Sequence, residues 1–260
     1  MLAVVYKGIA IPIYWLLLHK KGNSNTRERI ALMKRFIQQF GKQHMIRVLA
    51  DREFIGSDWF NWLQSQGVDF GIRIKKDAKI PNAQGELVRA EKLFLFLKVG
   101  EQLFIDKPRR MTGVQVYLTA LRLHDGELVI IATLKPCERT LEAYARRWQI
   151  ETLFAAFKGR GFNLEESRIT NRLRLKRLLA VMVIAFCWAH RTGEWQHENV
   201  KPIKIKKHQR LSKSIFKSGL DLLRSSLIIS TLSTHLLNAY FNILKLIMIF
   251  NMVSFCHVQR

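Results

Sequence analysis

The stretch MIRVLADREFIGSDWFNWLQSQGVDFGIRIKK, residues 45–76, sets the fold class. Met45–Ala50 is a short apolar run that stops abruptly on Asp51 and reads as a strand. SDWFNWLQSQG (57–67) reads as a capped helix, and VDFGIRIKK (68–76) as a second strand. Strand, helix and strand in such close succession are the unit of an α/β fold. In such sheets ligands and metals gather outside the carboxyl ends of the strands. Asp51 is therefore well placed for chemistry, although a single acid at a strand end also serves as an ordinary turn or cap residue.

Outward from this unit the pattern continues on both sides. Upstream, LAVVYKGIAIPIYWLLL (2–18) is β-rich on either side of Lys7-Gly8, which predicts a hairpin. NTRERIALMKRFIQQFG (25–41) predicts a helix with Asn25 or Thr26 as cap. Its Ile30, Met33, Phe36, Ile37 and Phe40 recur at helical spacing, and Gly41 ends it. Downstream, LFLFLKVG (93–100), EQLFI (101–105), VQVYLTALRL (114–123) and ELVIIATL (127–134) predict strands and turns, and from Glu138 the chain turns helical. The whole is α/β with a mostly β insertion, followed by C-terminal helices.

Charge narrows the class of partner. The 260 residues hold 43 Lys and Arg against 20 Asp and Glu, a formal net charge of +23. Folding does not need that excess, and self-repulsion makes it a mild liability. A polyanion explains it best, because each neutralised phosphate releases counterions; a ribosomal or membrane-surface protein is the alternative. At 48% hydrophobic residues, the chain has ample material for a core. Cys137, Cys187 and Cys256 form neither a disulfide framework nor a metal spacing, so a reducing, cytoplasmic setting is expected. Leu178–Ala189 is too short an apolar run to span a bilayer and reads as a buried helix. Leu236–Cys256 is longer, but Asn238, Asn242, Lys245 and Asn251 interrupt it.

The chemistry concentrates in TLEAYARRWQIETLFAAFKGR (140–160), read as one helix. Ile150, Leu153, Phe154 and Phe157 form an apolar stripe at i, i+3, i+4 and i+7. On an unbroken helix, Tyr144, Arg147, Glu151 and Lys158 fall within an arc of about 60° over roughly 21 Å, turned away from that stripe. Such a ridge is often only a solvated face with an i,i+4 pair between Arg147 and Glu151. It also suits phosphoryl transfer: the acid can hold a divalent ion while the cations grip phosphates beside it.

The spacing Tyr144-x2-Arg147-x3-Glu151-x6-Lys158 resembles the Y-R-E-K signature of bacterial insertion-sequence DDE transposases of the β-insertion group. The run Asp51-Arg52-Glu53-Phe54, at a strand end, is similar to that family's second-aspartate motif, and the resemblance covers roughly residues 1–225. It implies a ribonuclease-H-like core, a two-metal Mg²⁺ site (Mn²⁺ being able to substitute) held by three carboxylates, and cut-and-paste strand transfer on double-stranded DNA. It further implies a homodimer in the DNA complex and a nucleoid-associated, membrane-free location. Carried over, Asp51 and Glu151 are catalytic metal ligands, and Tyr144, Arg147, Lys158 and Arg52 contact DNA. The expected divisions are 1–79 for the first part of the core, 80–136 for the β insertion, 137–225 for the catalytic helix and basic C-terminal segment, and 226–260 for an apolar tail of uncertain role.

One departure from the pattern is plain. The family has a further aspartate on a strand preceding the hairpin, whereas Glu28 is the single acidic residue among the first fifty, and it lies within a predicted helix. The amino-terminal domain that recognises transposon ends has no counterpart either. The expectation is a chain shortened at its start and inactive by itself, or a non-catalytic DNA-binding fragment that inhibits intact transposase. Residues 172–217 carry twelve Lys and Arg against Glu194 and Glu198, which suits DNA-backbone contact. Most of the six tryptophans read as core residues rather than base-stacking platforms. Gly159 and Gly161 end a helix instead of opening a phosphate loop.

Overall fold

The computed structural model describes residues 1–230 apart from 21 and 208; the apolar stretch Leu236–Cys256 and most of the 226–260 segment lie outside the described residues. The chain forms two compact units, Met1–Ala155 and Ala156 onward.

The first unit opens with the predicted hairpin, β1 (Leu2–Tyr6) and β2 (Ile9–Tyr14), paired antiparallel. Lys7 and Gly8 both take positive φ, 42° and 80°, the two-residue turn whose twist matches the flanking strands. Helix α1 (Thr26–Phe40) follows. Asn25 caps it by accepting from the Glu28 amide while Glu28 reaches back to the Asn25 amide. Met33 and Phe36 face inward; Phe40, expected on the same apolar face, is 43% exposed and packs at a tilt against Phe36 at the helix end.

Strands β3 (Arg47–Ala50) and β4 (Asp69–Ile74) are joined through α2 (Ser57–Ser65) and pair in parallel, Ala50 opposite Ile72. The α/β unit expected over 45–76 is present. No side chain caps α2, however. Gly56 stands at the cap position and accepts the Phe60 amide through its carbonyl. The helix is held by burial instead, with Trp59, Phe60 and Leu63 at or below 1% exposure.

After β5 (Lys79–Pro81) and β6 (Leu87–Arg89), a separate two-stranded ladder, the predicted strand at 93–100 does not form. Ala90–Phe94 is a 3-10 turn, with Phe94 and Leu97 buried and Leu95 and Phe96 exposed. In LFLFL every residue is apolar, so sequence alternation cannot separate period two from period three. Arg122 settles the outcome by donating to the carbonyls of Leu97 and Phe94. Strands β7 (Gln102–Met111), β8 (Val114–Arg122) and β9 (Leu128–Thr133) form an antiparallel meander. Through β9 it pairs with β4, so the β-rich segment continues the core sheet in the order β3-β4-β9-β8-β7. Among the described strands, β3 is bonded on one side only.

Residues 140–157 form two helices rather than one, α3 (Thr140–Ala145) and α4 (Trp148–Phe157). The chain tightens between them: the Arg147 amide donates to Tyr144, Gln149 to Arg146 and Ile150 to Arg147, all three residues back. Leu153 and Phe157 of the expected stripe are buried, whereas Phe154 is 41% exposed.

The second unit is built on α5 (Arg172–Trp195) and α6 (Ile215–Ser230). The two approach at glycines: a Cβ on Gly193 would lie 2.0 Å from the Ile215 carbonyl oxygen, and one on Gly219 1.8 Å from that of Ala189. Helix α5 is amphipathic, not wholly buried as expected for 178–189. Leu179, Met182, Phe186 and Ala189 point inward, while Val181 and Ile184 are more than 60% exposed. Among the described residues no helix is long and apolar enough to cross a membrane.

Candidate active site

Asp51 leaves the sheet at the carboxyl end of β3, half-buried, and opens the 3-10 turn Arg52–Phe54 by accepting the Arg52 amide at 2.7 Å. It is thus a cap residue as well as an acid at a strand end. Arg52 stands exposed on that turn. Because β4 runs parallel to β3 with Ala50 opposite Ile72 and continues to Ile74, Arg73 lies level with Asp51.

Tyr144, near the end of α3, is 9% exposed, and its buried hydroxyl has no hydrogen-bond partner among the described residues. The Arg147 guanidinium lies 5.5 Å from the Tyr144 ring centroid, and its Nη2 pairs with Glu151 Oε1 at 2.8 Å. Burial pushes the Tyr144 phenol up. The Arg147 charge opposes that push, Asp51 adds to it, and the Arg73 charge opposes it as well. Burial works against the Arg147 charge, but Tyr144, Glu151 and Asp51 outweigh it and hold the guanidinium more firmly protonated than usual. Asp51, Tyr144, Arg147 and Glu151 are thereby brought into one electrostatic cluster. The tightened turn at Arg146–Arg147 changes how they meet: Tyr144 is buried under Arg147 instead of standing in line with it on a solvated ridge.

Lys158 follows α4, 59% exposed, with its ammonium 2.9 Å from Glu165. Sequence reasoning missed Arg73. The available signal was a cation at the carboxyl end of a strand parallel to β3, but Arg73 carries no spacing relation to the motif. A second acid near the sheet has another purpose. Asp69, 5% exposed, pairs with Arg47 at 2.6 Å and accepts the amides of Phe70, Leu134 and Lys135, which ties β3, β4 and the end of β9 together. Arg47 also donates to Cys137 Sγ at 3.2 Å. Burial raises that thiol, but Arg47 and Thr140 bring it below the ordinary range.

A transposase of the DDE kind needs three carboxylates converging on divalent metal. Among the described residues no three His, Cys, Asp or Glu side chains are grouped to hold an ion. Two acids, one of them held by a guanidinium, do not make that cage.

The first unit is thus an α/β domain bearing an acid at a strand end and a Tyr-Arg-Glu cluster. The model of the transposase DDE domain matches residues 2–188, and the chain belongs to that family. The mixed five-stranded sheet with its helices suits such a ribonuclease-H-like domain. Comparison with curated proteins finds no match.

Proposed function

We propose that this transposase domain engages double-stranded DNA at the cluster of Asp51, Tyr144, Arg147 and Glu151, in the subgroup marked by the Y-R-E-K signature. In this reading Arg147 and Tyr144 hold a backbone phosphate, and Arg52 meets the strand beside it. Asp51 and Glu151 are two of the acids that in active relatives bind Mg²⁺, and two copies act together on paired DNA ends. The observation supporting it is that Asp51, far from the motif in sequence, acts electrostatically on both Tyr144 and Arg147, while Arg147 pairs with Glu151.

Among the described residues no third carboxylate joins Asp51 and Glu151, which favours a second reading for the chain. It binds DNA without cutting it and competes with intact transposase. Incubation with supercoiled plasmid in Mg²⁺ or Mn²⁺ tests this. Retarded plasmid with no nicked product is expected; metal-dependent nicking that Glu151→Gln abolishes would overturn the non-catalytic reading and favour a working site.

A further inference from the structure

Beyond the cluster, the first unit contains a groove of about 710 Å³ whose walls come from four separate places. Arg52 contributes from the turn after β3, and Arg73 to Asp77 from the end of β4. Arg89, Glu91 and Leu95 contribute from the segment after β6, and Arg122 with Gly126–Leu128 from the β8–β9 turn. Six cations face three acids there, and the six are of two kinds. Arg73 is paired with Glu127, and Arg122 is engaged by backbone carbonyls, so these two build the wall. Arg52, Lys75 and Lys76 are exposed and have no ion-pair partner among the described residues; Arg89 has only a loose one, 3.5 Å from Glu91.

We infer that this groove is a second DNA-backbone site, taking the duplex as it leaves the Asp51–Arg147 cluster. Continuity supports the assignment. Arg52 immediately follows Asp51, and Arg73 both lines the groove and acts on the Tyr144 phenol. The charge pattern supports it too. A small anion is held by buried donors converging on one point, whereas here exposed cations sit on different walls of an open channel, as repeated phosphates require. Lys75 and Lys76, beyond the end of β4, carry the channel away from the cluster, so that each neutralises a separate phosphate. The inference rests on the DNA reading above.

The test is the salt dependence of binding to a random-sequence duplex, measured by fluorescence anisotropy with the full chain. Lys75→Gln/Lys76→Gln should lower the slope of log K against log salt by about 1.8, near 0.9 for each phosphate given up. Both lysines are exposed, so melting should be unchanged. Lys34→Gln/Lys107→Gln removes the same charge from exposed positions outside the groove and should leave the slope unchanged. An unaltered slope in the Lys75/Lys76 variant, or an equal fall in the control, overturns the groove while leaving the DNA reading intact. Failure of the unaltered chain to bind duplex at all overturns both.

Discussion

Arg147 Nη2 meets Glu151 Oε1 at 2.8 Å across one helical turn, with the cation on the amino-terminal side. Arg147 precedes α4 and Glu151 lies in its first turn, where the helix dipole favours a carboxylate. Glu151→Gln should therefore lower stability by about 0.3–1 kcal/mol. It should also tighten DNA binding by removing a negative charge beside the phosphate, as urea denaturation and anisotropy together would show. Marked unfolding would mean that Glu151 has a structural role.

Tyr144 carries a buried hydroxyl with no partner among the described residues. Such a group loses its hydration without replacement, which costs about 1–3 kcal/mol. Tyr144→Phe should accordingly raise the melting temperature and weaken DNA binding. A fall in stability would show that the hydroxyl is satisfied in solution.

Asp69 should matter more to the fold than either site acid. It is buried, paired with Arg47 and bonded to three amides. Asp69→Asn leaves the Arg47 cation uncompensated and should cost about 3 kcal/mol in chemical denaturation. Asp51→Asn, at a half-buried cap, should cost far less.

Cys137 and Cys187 should separate by pH. Arg47 and Thr140 bring the Cys137 thiol down, whereas burial pushes that of Cys187 up. In a Cys256→Ser background, iodoacetamide should label Cys137 with a midpoint below the ordinary thiol range and Cys187 above it. The sign for stability follows. A depressed thiol contributes above its unfolded value and loses that contribution as pH falls through its folded one. Relative to Cys137→Ser, the unaltered chain should therefore gain stability as pH rises through the thiol range.

The close approach of α5 and α6 leaves no room for a methyl group at Gly219. Gly219→Ala favours the helix by about 1 kcal/mol in propensity. Displacing the Ala189 carbonyl should exceed that gain, for a net loss of about 1–3 kcal/mol in thermal or chemical melting.

Much of the fold was legible because its signals are local. The Lys7-Gly8 turn, the Asn25–Glu28 cap and the strand-helix-strand run at 45–76 each announce themselves within a few residues. The strand expected at 93–100 failed because LFLFL has no polar residue to mark a period, and the deciding hydrogen bonds come from distant Arg122. The single helix expected over 140–160 broke at Arg146–Arg147. Average helical angles cannot register a local change to i→i+3 bonding. Spacing drew attention to Tyr144, Arg147 and Glu151, and the end of a strand drew it to Asp51. Arg73 was invisible because strand register, not sequence distance, brings it beside them, and Lys158 is drawn to Glu165, a partner no motif indicates.

DNA held at the Asp51–Arg147 cluster is the central claim, and Arg147 tests it most directly. Duplex affinity should be measured across a salt series for the unaltered chain and for Arg147→Gln. Weaker binding is expected, with a salt slope lower by about 0.9, the change that accompanies one neutralised phosphate fewer. An unchanged affinity and slope in a folded Arg147→Gln variant would contradict the claim.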